Sequence, residues 1–109
     1  MNVPGTEPLS LTATRTDERT HLVTVVGDVD LATAARLAEY LDQFEDRNVV
    51  VDLSSVWFLD SSGIQALLAA HRRIERRGGV LTIRGATPIV QKVLRVTGLD
   101  QVLSLEGHD

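Results

Sequence analysis

Val49-Val50-Val51-Asp52-Leu53 leads, after a short loop, into Asp60-Ser61-Ser62-Gly63 and then into a long amphipathic pattern. This succession constrains the fold more than any other part of the chain. A nearly all-apolar run of this length is the mark of a strand covered on both faces, and a strand running into a helix belongs to an α/β sheet. From Ser62 to Arg77, the residues Ile64, Leu67, Leu68, His71 and Ile74 recur at the spacing of one helix face. Gly78 closes that helix as the residue just past its end. The arginines of the last turn suit the negative pole of the helix dipole.

The remaining segments follow the same logic. Leu9 to Thr16 alternates loosely and predicts an edge strand, Arg15 to Thr20 a polar turn, and Leu22 to Gly27 a second strand pairing with the first as a hairpin. Asp30 is a good N-cap for a helix from Leu31 to about Phe44, with Ala34, Leu37, Ala38, Leu41 and Phe44 in one apolar stripe. Val80 to Arg84 reads as a strand. Thr87-Pro88 supplies an N-cap followed by proline at the first helical position, and Gly98 ends that short helix. Val102 to Leu105 predicts a last short strand. The order β-β-α-β-α-β-α-β predicts an α/β fold: a mixed, largely parallel sheet with an antiparallel edge hairpin, packed with helices. With 109 residues there is room for one domain, expected over 9–106, with a flexible lead at 1–8 and a tail at 107–109.

Composition narrows the function. The net charge of -4 argues against nucleic-acid binding, which needs a basic footprint. Without cysteine there are no disulfides and no thiolate metal sites. No apolar run is long enough to cross a membrane, and Met1 to Ser10 lacks the features of a signal peptide. A cytoplasmic protein with no membrane partner is the expectation.

Asp60-Ser61-Ser62-Gly63 allows two readings. Asp and Ser are favoured N-caps and Gly eases a turn, so the group can be helix-starting chemistry alone. Yet a cap needs one residue and three capping types stand here in a row. A helix N-terminus, with unpaired N–H groups and a favourable dipole, is also a good place for a phosphate. The bulky Trp57-Phe58-Leu59 before it suits a partner-contacting rim, or else Phe58 and Leu59 tuck under the sheet. A serine hydrolase elbow would need a glycine two positions before its nucleophile, and that position differs here. His71 lies nine residues after Ser62 on the same helix, about 13 Å away by helical rise. Three scattered histidines make no metal site, and one glycine makes no dinucleotide fingerprint. No catalytic residue, cofactor or metal is expected.

Taken together, these residues resemble the STAS domain, and within it the small anti-sigma factor antagonists of bacteria. The likeness runs through Gly27-Asp28-Val29-Asp30, Val50 to Ser54, Phe58 to Ile64, Gly78-Gly79, Thr87-Pro88 and Thr97-Gly98-Leu99. It differs in Asp28, where the family more often has Glu, and in the few residues after Leu105, where the family usually carries a further helix. The resemblance implies partner switching. The unphosphorylated antagonist binds an anti-sigma factor that is a serine kinase and so frees a sigma factor. Phosphorylation of the second serine, Ser62 here, inactivates it, and a metal-dependent serine phosphatase resets it. Asp30, Phe58, Leu59, Asp60, Ser61, Ser62 and Gly63 are the implied partner-binding residues, on a monomer. A STAS adaptor that is never phosphorylated, or a nucleotide or small-molecule sensor, is the alternative.

Overall fold

The computed structural model describes residues 8–45 and 48–106. The expected lead and tail, apart from Pro8, lie outside the described residues. The elements are β1 (Ser10–Asp17), β2 (Thr20–Val26), α1 (Ala34–Asp42), β3 (Asn48–Ser55), α2 (Ser61–Arg76), β4 (Val80–Arg84), α3 (Pro88–Val96), a 3-10 turn (Leu99–Gln101) and β5 (Ser104–Glu106). One five-stranded sheet runs in chain order. β1 and β2 are antiparallel, and every other neighbouring pair is parallel.

Register sorts the side chains into two faces, because neighbours across a sheet point the same way and alternate along each strand. Ala13, Val23, Val51, Ile83 and Leu105 form one row across all five strands. Its three central members are buried. The next row, Thr12, Thr24, Asp52, Arg84 and Glu106, points to the opposite face and is half-buried or exposed throughout. This corrects the expectation that Val49 to Leu53 is covered on both faces. Val49, Val51 and Leu53 are fully buried, whereas Val50 and Asp52 are only half-buried. Three valines in succession conceal the alternation, because a β-branched side chain also fits the open face, where Val50 sits between Leu22 and Thr82.

Several boundaries shift for identifiable reasons. The residues expected as a polar turn are mostly strand, since Arg15 pairs with His21 and Asp17 with Thr20, leaving Glu18 and Arg19 as the turn. Asp17 accepts the Arg19 N–H at 2.8 Å, and this bond, helped by Thr20, holds its carboxyl below the usual carboxylate range. The stabilisation is present above the unfolded-state pKa and is lost as pH falls through the lower folded value, so this turn loosens only in acid. Regular α1 starts at Ala34 rather than Leu31 and stops at Asp42, short of Phe44. Phe44 is buried all the same, its ring 4.7 Å from that of His21 and 5.5 Å from that of Tyr40.

α2 follows the expectation closely, and its C-terminus is a Schellman motif. Gly78 has φ of 82°, its N–H bonds the Glu75 carbonyl, and the Gly79 N–H reaches back to Ile74. Arg73 forms an ion pair with Asp42, and the Arg77 guanidinium donates to the Phe44 carbonyl at 2.7 Å, so the end of α2 is clasped to the end of α1. Thr87 precedes α3 as expected, but its hydroxyl does not cap that helix; it donates to the Val56 carbonyl at 2.7 Å. That bond ties the start of α3 to the loop after β3.

Gly27 tolerates no side chain without a backbone shift. Its φ is 113°, and a Cβ there would stand 2.3 Å from the Pro8 carbonyl oxygen. Gly98 also has positive φ, 79°, but nothing lies within 4 Å of a Cβ built on it. Gly98→Ala should therefore cost about 1–2 kcal/mol from left-handed backbone alone. Gly27→Ala should cost distinctly more, because a collision with main chain is added. Urea unfolding of the two variants side by side measures the difference.

Candidate functional site

The site lies at the edge where the parallel strands β2, β3 and β4 end, the edge at which open α/β sheets place ligands and partners. Two loops meet there and are joined through their backbones. The Val29 N–H donates to the Phe58 carbonyl at 3.0 Å and the Asp60 N–H to the Val29 carbonyl at 3.1 Å, making a one-residue parallel bridge between Val29 and Leu59. Beside it the Gly27 N–H bonds the Ser55 carbonyl at 3.2 Å.

An aspartate caps a helical turn on each side of this bridge, in the same way. Asp60 Oδ1 accepts the N–H groups of Ser62 at 2.8 Å and Gly63 at 3.3 Å. Asp30 Oδ1 accepts those of Ala32 at 3.0 Å and Thr33 at 3.1 Å, and the Thr33 hydroxyl accepts the Asp30 N–H at 3.0 Å. The second arrangement is a capping box with threonine in place of the usual Glu or Gln. The capping role expected of Asp30 is present, but the first turn, 31–33, is not regular helix.

The two readings of the Asp-Ser-Ser-Gly group separate here. Asp60 alone does the capping. Among the described residues, neither the Ser61 nor the Ser62 hydroxyl takes part in a hydrogen bond. Ser61 is exposed and Ser62 half-buried, at the first and second positions of α2. Gly63 is there for packing: a Cβ would come within 2.4 Å of Leu59 Cδ1 and 2.7 Å of Val29 Cγ1.

The rim residues also divide. Leu59 is buried with 5% exposure and belongs to the core, so it corrects the expectation of a side chain facing a partner; Gly63 is likewise buried. Both residues are confined by the Val29 bridge. Phe58 is half-buried and Trp57 is 62% exposed. A shallow depression opens between the two loops, lined by Asp30, Leu31, Ala32, Phe58 and Asp60. Leu31 and Ala32 were missed by sequence reasoning. At i, i+3 from Ala34, Leu31 has the spacing of the buried stripe, yet it is 82% exposed. A leucine directly after a capping Asp was the available signal.

Other titratable groups stay apart from the serines. His71 is half-buried far along α2, its Nε2 3.9 Å from Glu75. Among the described residues no cluster of three or more His, Cys, Asp or Glu is placed to hold a metal, and no helix is long and apolar enough to cross a membrane. Asp28, buried under the corner with 8% exposure, adds a third carboxylate to Asp30 and Asp60.

This geometry has relatives. The family model described as "Mlab, STAS domain" matches residues 12–105. The chain is 33% identical over 104 residues to the anti-sigma-F factor antagonist RsfB of Mycobacterium tuberculosis, spanning 90% of this chain and 83% of RsfB. The crystal structure of an anti-sigma factor antagonist from Mycobacterium paratuberculosis has the same fold, with a TM-score of 0.84 at 23% identity over 97% of this chain and 92% of that one. The phosphorylated form of the Bacillus cell fate determinant SpoIIAA matches with a TM-score of 0.65 at 18% identity, over 91% and 93% of the two chains. The chain thus belongs to the STAS domain family, in the group that holds the anti-sigma factor antagonists.

The division of labour between Asp60 and the serines can be measured. Asp60→Ala should cost about 0.5–2 kcal/mol as a lost cap. Ser61→Ala and Ser62→Ala, which break no hydrogen bond, should each stay within about 0.5 kcal/mol of the parent in thermal or urea melts.

Proposed function

We propose that the protein is an anti-sigma factor antagonist working by partner switching in the cytoplasm, as a monomer. Unphosphorylated, it binds an anti-sigma factor that is a serine kinase, and the sigma factor is released. The observation that carries this reading is the Ser62 hydroxyl: it stands without a hydrogen bond among the described residues at the second position of α2, where Asp60 already does the capping. The hydroxyl is therefore available for transfer without loss of the helix start.

In the transfer, the kinase moves the γ-phosphoryl of ATP onto Ser62 Oγ. The P–O bond to ADP breaks, and the hydroxyl proton passes to a base of the kinase. A metal-dependent serine phosphatase returns the group to water as inorganic phosphate. The phosphate brings a charge of about -1.5 to -2 beside Asp60. A helix N-terminus accepts such a charge, so the fold is retained. SpoIIAA, which has a solved phosphorylated form, keeps the same fold in that form, in support of this point. The effect falls on docking, because burying a dianion without a cation opposite is costly. A thousandfold loss of affinity needs only about 4 kcal/mol.

One feature bears on the sensor alternative. A cavity of about 240 Å³ lies between α3 and the ends of β4 and β5, with Ile83, Leu94 and Leu105 inside and Arg95, Asp100 and Glu106 around it. It is smaller than the roughly 300 Å³ at which pockets for drug-sized ligands begin, so a nucleotide is a poor fit. Thermal stabilisation by ATP or GTP would nevertheless support that reading.

The test is incubation of the chain with each serine-kinase anti-sigma factor of its own genome and Mg-ATP, read by mass spectrometry. Transfer to wild type and to Ser61→Ala, none to Ser62→Ala, and loss of the complex on modification are the expected outcomes. Transfer to Ser61 instead, or to neither serine with any of the kinases, overturns the proposal. Ser62→Glu should stay folded by circular dichroism while losing the kinase.

A further inference from the structure

Among the described residues the exposed large apolar side chains are Val26, Leu31, Trp57, Val80, Ile89, Val96 and Val102, and four of these seven share one edge of the sheet. Val26 ends β2, Leu31 follows the capping Asp30, Trp57 lies in the loop after β3, and Ile89 is the second residue of α3. Val26 stands at the carboxyl end of β2, and the other three belong to the loops and helix starts that follow the carboxyl ends of β2, β3 and β4, the edge that carries Ser62. The four are 39%, 82%, 62% and 50% exposed, respectively. The Thr87 to Val56 hydrogen bond holds the start of α3 beside the segment carrying Trp57. Leu31 is the most telling. In a regular first turn its spacing to Ala34 would put it on the buried stripe, and the Asp30–Thr33 capping box holds the turn in which it is exposed.

The charges around these side chains select the occupant. Asp30 and Asp60 line the depression with Leu31, Ala32 and Phe58. A second copy of the chain would set these carboxylates against their own equivalents, and like charges facing each other across an interface cost several kcal/mol. An anionic membrane or a nucleic acid meets the same repulsion. What fits is a protein surface with apolar pockets for Leu31 and Trp57 and basic side chains between them.

We propose that Leu31 and Trp57 are the anchors by which the serine-kinase anti-sigma factor grips this edge, through a surface of that chemistry. The proposal deepens the partner-switching reading and rests on it. The surface then has two parts. The apolar anchors hold the partner and set its residence time, while the Ser62 hydroxyl on the same edge decides whether the partner can close onto it. Buried aromatic anchors commonly carry most of an interface's affinity, and their loss is felt mainly as faster dissociation.

The experiment is surface plasmon resonance of the kinase found to phosphorylate Ser62, against wild type, Leu31→Ser, Trp57→Ser and Val96→Ser. Val96 is 73% exposed at the far end of α3 and serves as the control. All three side chains are exposed, and circular dichroism with thermal melts verifies that each variant is folded. Leu31→Ser and Trp57→Ser should each weaken binding at least about tenfold, chiefly in dissociation rate, with Val96→Ser within about twofold of wild type. Wild-type binding left within about twofold by both anchor variants overturns the proposal and leaves the phosphorylation reading standing. Failure of every kinase to bind or modify wild type overturns both. Light scattering that finds a wild-type dimer, made monomeric by Leu31→Ser, reassigns these residues to self-association and also overturns it.

Discussion

Two hydrogen bonds through one residue hold the functional edge together. Val29 donates to Phe58 and accepts from Asp60, so the loop after β2 and the loop after β3 cannot move independently. Because Asp30 and Asp60 directly follow the bridged residues Val29 and Leu59, the two capped turns inherit a fixed relative position. Gly63 completes the arrangement, since only a residue without Cβ lets α2 begin this close to Val29 and Leu59. Everything the edge presents outward, from Leu31 to Ser62, is placed by this small backbone junction.

The junction makes this edge rigid and open at once. Its apolar underside is part of the core: Val29, Leu59 and Val56 are buried, so loop residues here are anchored like those of strands. Its polar groups are satisfied locally by the two aspartate caps. What remains outside is a pair of serines whose hydroxyls are not needed by the fold, beside carboxylates and exposed apolar side chains. A charge added at Ser62 meets helix-start N–H groups and neighbouring carboxylates, which makes it tolerable in solution and costly under a partner.

Much of this was legible in the residues. α2, β4 and the start of α3 fell where periodicity and caps put them, because each carries its own local signal: Asp60 before an apolar stripe, Gly78-Gly79 at a stop, and Thr87-Pro88 at a start. The errors came where local signals compete with packing. Val50 looked like core and is half-exposed, because a β-branched residue serves both faces of a sheet. Thr87 looked like a cap and instead bonds Val56, since a hydroxyl takes a buried carbonyl that would otherwise go unpaired. Phe58 and Leu59 were indistinguishable in sequence, and the Val29 bridge sends Leu59 inward.

The sequence by itself determined the strand-and-helix order, the mixed sheet and the position of Asp60-Ser61-Ser62-Gly63 at a helix start, because these depend on periodicity and capping within a few residues. Only the tertiary structure decided which oxygen caps α2, which face of β3 is open, and that Leu31 stands outside beside Asp60. Those outcomes turn on contacts between segments about thirty residues apart, Val29 against Leu59 above all. Such contacts form only when the sheet brings the ends of β2 and β3 to one edge.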